Sequence, residues 1–220
     1  METIEIDIPA DEFILKGNLT IPKVANSLVI FSHGSGSSRF SKRNNFVARI
    51  LNQSNIATLL TDLLTIEEDE IYENRFDIDL LTQRLIAVTN YASELPNLKN
   101  LPIGYFGAST GAASALKAAA RLKHKVKAIV SRGGRPDLAL DDLPLIAVPT
   151  LLIVGSLDRV VIALNEQAYS QLNCHKKLEI VDGATHLFEE PGKLEEVADL
   201  ASKWFTEYIV NANKKSHVLH

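Results

Sequence analysis

Short apolar runs alternate along this chain with segments of helical spacing, and that alternation limits the folds it can adopt more than any other feature. Each run is too brief for a helix and is rich in β-branched residues, as strands buried on both faces are. The runs are LVIFSHG, IATLLTD, IGYFGAS, KAIVSR, TLLIVGS and LEIVDG. Strands that alternate with helices need right-handed crossovers. The pattern therefore predicts an α/β fold, with a mostly parallel sheet covered by helices on both faces.

The segments between the runs carry apolar residues at the spacing of an amphipathic helix. They lie around Phe46 to Leu51, Ile78 to Val88, Gly111 to Leu122, Ile162 to Leu172 and Leu194 to Val210. The start of the chain differs, because it alternates apolar and polar side chains from Thr3 to Ile8 and again from Phe13 to Ile21. Alternation of this kind is typical of strands with one buried face and predicts an antiparallel hairpin at a sheet edge.

No internal repeat or linker divides the sequence, so we expect a single domain over residues 1–212. The polar residues 213–220 are expected to be a disordered tail. The acidic segment 65–75 is expected to be a surface loop.

Charge and cysteine content narrow the partners. The 220 residues include 23 Lys and Arg against 27 Asp and Glu, a net charge of -4 that offers no electrostatic basis for binding nucleic acid or an anionic membrane. The single cysteine, Cys174, fits a reducing compartment and no zinc motif. With no signal peptide and no apolar stretch of about 18 residues, the sequence predicts a cytoplasmic protein, a monomer or homodimer, that takes a small molecule and needs no metal or cofactor.

The most informative motif is Gly107-Ala108-Ser109-Thr110-Gly111, which fits G-x-S-x-G and lies between a predicted strand and a predicted helix. A strand-to-helix turn this tight strains the central residue and presents its side chain at the helix N-terminus. Ser109 is therefore the candidate nucleophile. The alternative is a glycine-flanked helix start in which Ser109 is only a cap.

A serine nucleophile needs a base and an acid that orients the base. Asp158 and His186 each follow a predicted buried strand, so both should lie at the edge of the sheet that carries Ser109. Taken singly, Asp158 would be a helix N-cap and His186 a surface histidine; together they predict a Ser-His-Asp triad. Asp182 is the competing acid, although its place four residues before His186 favours a turn.

Acyl chemistry also needs donors for an oxyanion. The backbone N–H of Thr110 is one candidate. The loop HGSGSS after the third strand offers Ser35 N–H as the second, with Gly36 next. The same loop could be a flexible connection or a phosphate cradle, but it lacks the Lys-Ser/Thr ending of a P-loop.

HGSGSS, GASTG, GSLD and GATH, in this order, make the chain resemble the α/β-hydrolase superfamily over nearly its whole length, and within it the dienelactone hydrolase-like group. The resemblance implies a compact eight-stranded α/β-hydrolase fold and action on esters or lactones. Dienelactone hydrolases place cysteine in the elbow, where this chain has Ser109, so the resemblance does not imply dienelactone as the substrate.

Many relatives insert a lid between the sixth and seventh strands, where this chain has only SRGGRPDLALDDLPLIAVP. An open site without a lid domain suggests a carboxylesterase-like serine hydrolase for small soluble esters. Arg132 and Arg135 emerge there and are candidates for binding a substrate carboxylate, with pairing to nearby aspartates as the alternative. His33, Gly34 and Gly36 are further candidates for contacting the substrate. The aspartates in question are Asp137, Asp141 and Asp142.

Two other functions remain open from the sequence. A thioesterase or acyltransferase would use the same triad. A non-catalytic receptor for a small ligand could share the scaffold, because fold does not fix function.

Overall fold

A computed structural model describes residues 1–211 and contains an eight-stranded sheet. The strands are β1 Thr3–Ala10, β2 Phe13–Thr20, β3 Ser27–Ser32, β4 Ile56–Thr61, β5 Ile103–Ala108, β6 Val126–Arg132, β7 Thr150–Gly155 and β8 Lys176–Val181. Their order across the sheet is β1-β2-β4-β3-β5-β6-β7-β8. β2 pairs antiparallel with β1 and β4, and every other pair is parallel. The predicted α/β-hydrolase fold, with a hairpin at one edge of a mostly parallel sheet, is confirmed.

Helices cover both faces of this sheet. They are α1 Lys42–Gln53, α2 Ile66–Glu70, α3 Ile78–Glu94, α4 Thr110–Leu122, α5 Arg159–Gln171 and α6 Lys193–Phe205. One apolar cluster joins α1 and α6 to the sheet, and a second joins α3, α4 and α5 to the opposite face. The strands β3, β4, β5 and β7 are buried along their whole length, which explains why they are continuous apolar runs.

The acidic segment is more ordered than the predicted loop. Residues 66–70 form α2, and a 3₁₀ turn follows over Tyr72–Phe76. A capping box starts α2: the Thr65 hydroxyl accepts from the Glu68 amide, and the Glu68 carboxylate accepts from the Thr65 amide. The sequence does not predict this helix, because its mostly acidic residues show no apolar periodicity.

Other boundaries differ slightly from the prediction. The last predicted helix ends at Phe205 and continues as a π-helical turn over Thr206–Asn211. The connection between β6 and β7, where no lid was expected, contains only two 3₁₀ turns within the described residues, Pro136–Ala139 and Leu143–Leu145. The predicted tail, 213–220, lies outside the described residues. No helix within residues 1–211 has both the length and the apolar character that crossing a membrane requires.

Candidate active site

Ser109 occupies the strained turn that the motif predicts. Its backbone angles are φ 52° and ψ −124°, a conformation that costs a side-chain-bearing residue about 1–3 kcal/mol. Three backbone hydrogen bonds hold it there. The Ser109 amide donates to Arg132 O at 3.2 Å, and Ser109 O accepts from Ala112 N at 3.1 Å and Arg135 N at 3.0 Å. The surrounding structure therefore fixes the serine at the end of β5.

The glycines of the motif allow the close packing of this turn. A Cβ on Gly107 would lie 2.5 Å from Ala112 Cα, and one on Gly111 would lie 2.3 Å from the carbonyl oxygens of Ser32 and His33. Any side chain at either position would thus displace backbone. Gly34, in the loop after β3, approaches the serine itself: a Cβ there would lie 3.0 Å from Ser109 Cβ.

Asp158 and His186 are brought together from the ends of β7 and β8. Asp158 Oδ2 and His186 Nδ1 are 2.6 Å apart, and the carboxylate is the more buried partner, with its side chain 16% exposed against 37% for the histidine. Although Asp158 is the N-cap residue of α5, its side chain makes no capping hydrogen bond. It is therefore directed to the imidazole and not to the helix.

His186 and Ser109 line the same cavity, of about 180 Å³. The described residues include no hydrogen bond between Ser109 Oγ and the His186 ring, and such bonds are often formed only when substrate is present. Gly133 packs under the histidine, since a Cβ there would lie 3.5 Å from His186 Nδ1. No motif in the sequence indicates that contact.

The competing acid, Asp182, is directed elsewhere. Its Oδ1 accepts from the Ser156 hydroxyl at 3.4 Å, and the residue is exposed. Ser156 Oγ in turn accepts from Gly183 N at 2.8 Å. Asp182 therefore belongs to a turn between the two strand ends, as the alternative reading of this residue expected.

The two predicted oxyanion donors lie side by side but are not equally available. Thr110 is the first residue of α4, and its amide has no acceptor within residues 1–211. The Ser35 amide donates to Thr110 Oγ1 at 2.8 Å. Gly36 has φ 66°, and a Cβ there would meet no described atom within 4 Å, so the residue serves to bend the loop. The Thr110 hydroxyl thus occupies the amide that was expected to bind an oxyanion.

His33 supports the loop from within. Its Nδ1 lies 2.9 Å from Gly34 O and its Nε2 lies 3.2 Å from Leu63 N, so the ring carries its proton on Nδ1 and accepts at Nε2. Burial lowers the pKa of His33 below its ordinary value, which keeps the ring neutral. Both ring nitrogens are used in bonds to backbone, which makes His33 a support of the loop more than a ligand for substrate.

The two arginines singled out in the sequence have different surroundings. Arg135 forms a two-pronged ion pair with Asp137, at 2.8 Å for each bond, and does not line the cavity. Arg132 does line it and is only 4% exposed. Its one side-chain hydrogen bond within the described residues runs from Nη2 to Asn44 Oδ1, at 3.3 Å.

Arg43, at the start of α1, also lines the cavity, and sequence reasoning missed it. It pairs with Glu189 at 2.9 Å.

A second cavity of about 410 Å³ shares Ser37 with the first and is lined by Phe40, Leu64 and Ile66 among others. Within residues 1–211, no cluster of three or more His, Cys, Asp or Glu side chains could hold a metal ion.

Two curated proteins are similar to this chain in sequence. The chain is 52% identical over 205 residues to two Mycobacterium tuberculosis proteins, from strains CDC 1551 / Oshkosh and H37Rv, that bear the name "Putative phosphoribosyl transferase"; the match covers 93% of the chain but only 46% of each relative. The chain thus spans about half the length of these curated relatives.

Solved structures give the same architecture. The crystal structure of a dienelactone hydrolase from Anabaena variabilis is 52% identical, with a TM-score of 0.92 over 94% of this chain and 98% of that one. Est1E from Butyrivibrio proteoclasticus, at 20% identity, shares the fold with a TM-score of 0.80 over 92% of this chain and 98% of that one. The model of the "Dienelactone hydrolase family" matches residues 48–213, a span that includes the strained serine, the aspartate and the histidine. The chain belongs to the dienelactone hydrolase family.

Proposed function

We propose that the protein is a serine hydrolase that cleaves carboxylic esters or lactones of small soluble substrates through an acyl-enzyme intermediate. The observation that carries the proposal is the 2.6 Å bond between Asp158 and His186, because His186 lines the same cavity as the strained Ser109. The elements of the site come from three separate strand ends, and acyl transfer is the chemistry that uses all of them.

The first step is attack by Ser109 Oγ on the acyl carbonyl carbon. His186 Nε2 accepts the hydroxyl proton as the bond to carbon forms. Asp158 holds Nδ1–H, so the accepting nitrogen faces the serine, and its charge stabilises the imidazolium. His186 then donates the proton to the departing alcohol oxygen, and the carbon–oxygen bond of the ester breaks.

The oxyanion of the tetrahedral intermediate needs two donors. The Thr110 amide is free for this role. The Ser35 amide would exchange its acceptor, Thr110 Oγ1, for the oxyanion. Each such donor contributes about 3–4 kcal/mol in related chemistry, because it binds charge that develops only at the transition state.

Water completes the cycle. His186 takes a proton from water, the hydroxyl oxygen attacks the acyl carbon, and Ser109 leaves with the returned proton. The same residues would cleave a thioester, in which the leaving group is a thiol instead of an alcohol. They would also transfer the acyl group to another alcohol or thiol if that molecule took the place of water. Acyl transfer is therefore the second candidate, favoured by the same geometry.

The name of the mycobacterial relatives applies to proteins of which this chain spans less than half. Phosphoribosyl transfer would also leave the hydrogen-bonded pair of Asp158 and His186 without a role. A receptor role is the remaining alternative. An imidazole oriented by a carboxylate next to a strained serine has no use in binding alone, which supports an enzyme.

Fluorophosphonate labelling combined with a panel of p-nitrophenyl esters and thioesters tests the proposal. We expect one labelled residue, Ser109, because only a serine beside a functioning base reacts readily. Ser109→Ala should abolish both labelling and turnover, and Ser114→Ala, in the helix that follows Ser109, is the control. Labelling that persists in Ser109→Ala, or its absence in the parent protein together with no turnover, would contradict the assignment.

A further inference from the structure

Arg132 is a buried cation without a carboxylate. It is 4% exposed, it forms no ion pair within residues 1–211, and its Nε is buried without an acceptor. Burial, together with the charge of Arg43, lowers its pKa to about 10, so the group is still charged at neutral pH. A guanidinium in such a place is costly unless an anion completes its hydrogen bonds.

A second arginine faces the same space. Arg43 lines the cavity, and its Nε is also buried without an acceptor. Within the described part of the chain its one carboxylate partner is Glu189, whose side chain is 62% exposed and does not line the cavity. An exposed pair of this kind is weak, so an anion in the cavity could replace Glu189 at Arg43.

The start of α1 adds further donors. Ser41, Arg43 and Asn44, in the cap and first turn of this 12-residue helix, line the cavity, and the amides of Lys42 and Arg43 have no acceptor within the described residues. The partial positive charge of a helix N-terminus favours an anion. Among residues 1–211, the cavity lining includes two arginines and no carboxylate.

We propose that Arg132, Arg43 and the N-terminus of α1 form a subsite for a phosphate group carried by the substrate, beside Ser109. The substrate class is then a small ester whose acyl or alcohol part bears a phosphate monoester. The cavity of about 180 Å³ holds both Ser109 and the two arginines, so the phosphate must lie within a few bonds of the scissile ester.

The arrangement suits phosphate better than carboxylate. A carboxylate is planar and is satisfied by the fork of a single arginine. Here two guanidinium groups and a helix end surround one space, which matches a tetrahedral group with three terminal oxygens and up to two charges. The Ser37 and Ser41 side chains border the same cavity and can supply further hydroxyl donors.

Binding is tested first, without any need for catalysis. Inorganic phosphate is titrated by calorimetry into Ser109→Ala protein, and into the same protein carrying Arg132→Gln, Arg43→Gln or Arg135→Gln. We expect each of the first two changes to weaken phosphate about tenfold or more, the worth of one charge-assisted contact. Arg135→Gln is the matched control and should keep the parent Kd, because Arg135 is already paired with Asp137.

Glu189→Gln gives a test in the opposite direction. Removal of the competing carboxylate should tighten phosphate binding about two- to fivefold, which is the range of an exposed ion pair. Glu189→Gln and Arg43→Gln both keep the proposal testable if Arg132→Gln fails to fold. No phosphate binding by the parent protein, or equal binding by the parent and the Arg43→Gln variant, would overturn the subsite.

Turnover is tested with three matched acetates: 2-acetoxyethyl phosphate, 3-acetoxypropanoate and the neutral 2-methoxyethyl acetate. This part rests on the proposed function, and the calorimetry separates the two, since phosphate binding with no turnover of any ester would refute only the hydrolase. We expect kcat/KM to be highest for the phosphate, by about tenfold, with the advantage lost in Arg43→Gln. An equal or higher kcat/KM for the carboxylate would overturn the choice of phosphate.

Discussion

Replacing Asp158 by Asn removes the charge opposite His186 while keeping a side chain of almost the same size. In the native protein Asp158 Oδ2 accepts from His186 Nδ1 at 2.6 Å. The amide of Asn can donate to Nδ1, which moves the ring proton to Nε2 and leaves no acceptor for the serine proton. We expect kcat to fall about 10³- to 10⁴-fold, or about 4–5 kcal/mol of transition-state stabilisation.

The fold should be little affected by the same change. Asp158 makes no capping bond to α5, so Asn does not remove a helix cap, and its other surroundings are unchanged. The Tm is therefore expected to stay within about 4 °C of the parent, the effect of roughly 1 kcal/mol or less for a chain of this size. A large loss of kcat without a comparable loss of Tm separates orientation of the histidine from simple unfolding.

Asp182→Asn is the matched control, because it makes the same chemical change four residues from His186. Its partner is the Ser156 hydroxyl at the long distance of 3.4 Å, and we expect kcat to change by less than about twofold. The assay is steady-state hydrolysis of p-nitrophenyl acetate at saturating ester, with Tm measured on the same samples. If Asp182→Asn lost more activity than Asp158→Asn, the acid role would pass to Asp182 and the geometric argument would be refuted.

Three further predictions concern the loop and the core. Gly34→Ala should lower kcat/KM about 10²-fold, since its Cβ would lie 3.0 Å from the Cβ of Ser109. Gly36→Ala is the control and should mainly lower stability, because a Cβ there meets nothing within 4 Å but the residue has φ 66°. Equal losses of kcat/KM in the two variants would refute the steric argument. Burial lowers the pKa of His33, so below about pH 6.5 the unfolded chain binds a proton at this residue that the folded protein does not bind. The free energy of unfolding should therefore decrease as the pH is lowered, by up to about 1.4 kcal/mol per pH unit. Urea titrations of the parent and His33→Gln proteins between pH 7.5 and 5.5 check this, and parallel curves would contradict it. Tyr105→Phe should destabilise the protein by about 1 kcal/mol in urea, because it removes the buried 2.5 Å bond to Thr89; no change would show that the bond is energetically neutral.

The strands and the place of the site could be predicted because their causes are local. A strand buried on both faces must be apolar throughout, and the carboxyl ends of parallel strands meet at one edge of the sheet. These two rules were enough to place Ser109, Asp158 and His186 on the same rim, and the structure brings the aspartate and the histidine into contact. The catalytic roles of all three remain predictions that the labelling and mutation experiments test.

What the sequence did not predict depends on contacts between distant parts of the chain. Arg43 pairs with Glu189 and Ser35 bonds to Thr110, at separations of 146 and 75 residues. Apolar periodicity located α1 from Phe46 to Leu51, but it gives no information about the polar residues of the first turn. Arg135 is a different case: it pairs with Asp137, only two residues away, which is the alternative that the sequence offered for this arginine.

Arg132 connects the reactive serine to the proposed subsite through a single residue. Its carbonyl oxygen accepts the Ser109 amide at 3.2 Å, while its side chain enters the cavity and binds Asn44. The backbone of this residue therefore helps to hold the strained turn, and its guanidinium sets the charge beside it. Because the bond to Ser109 comes from the backbone, Arg132→Gln should keep it while removing the positive charge and the side-chain bond to Asn44. One strand end therefore sets the distance between the nucleophile and the bound anion, which favours substrates of one length. We expect that lengthening the substrate by one methylene between ester and phosphate lowers kcat more than it raises KM.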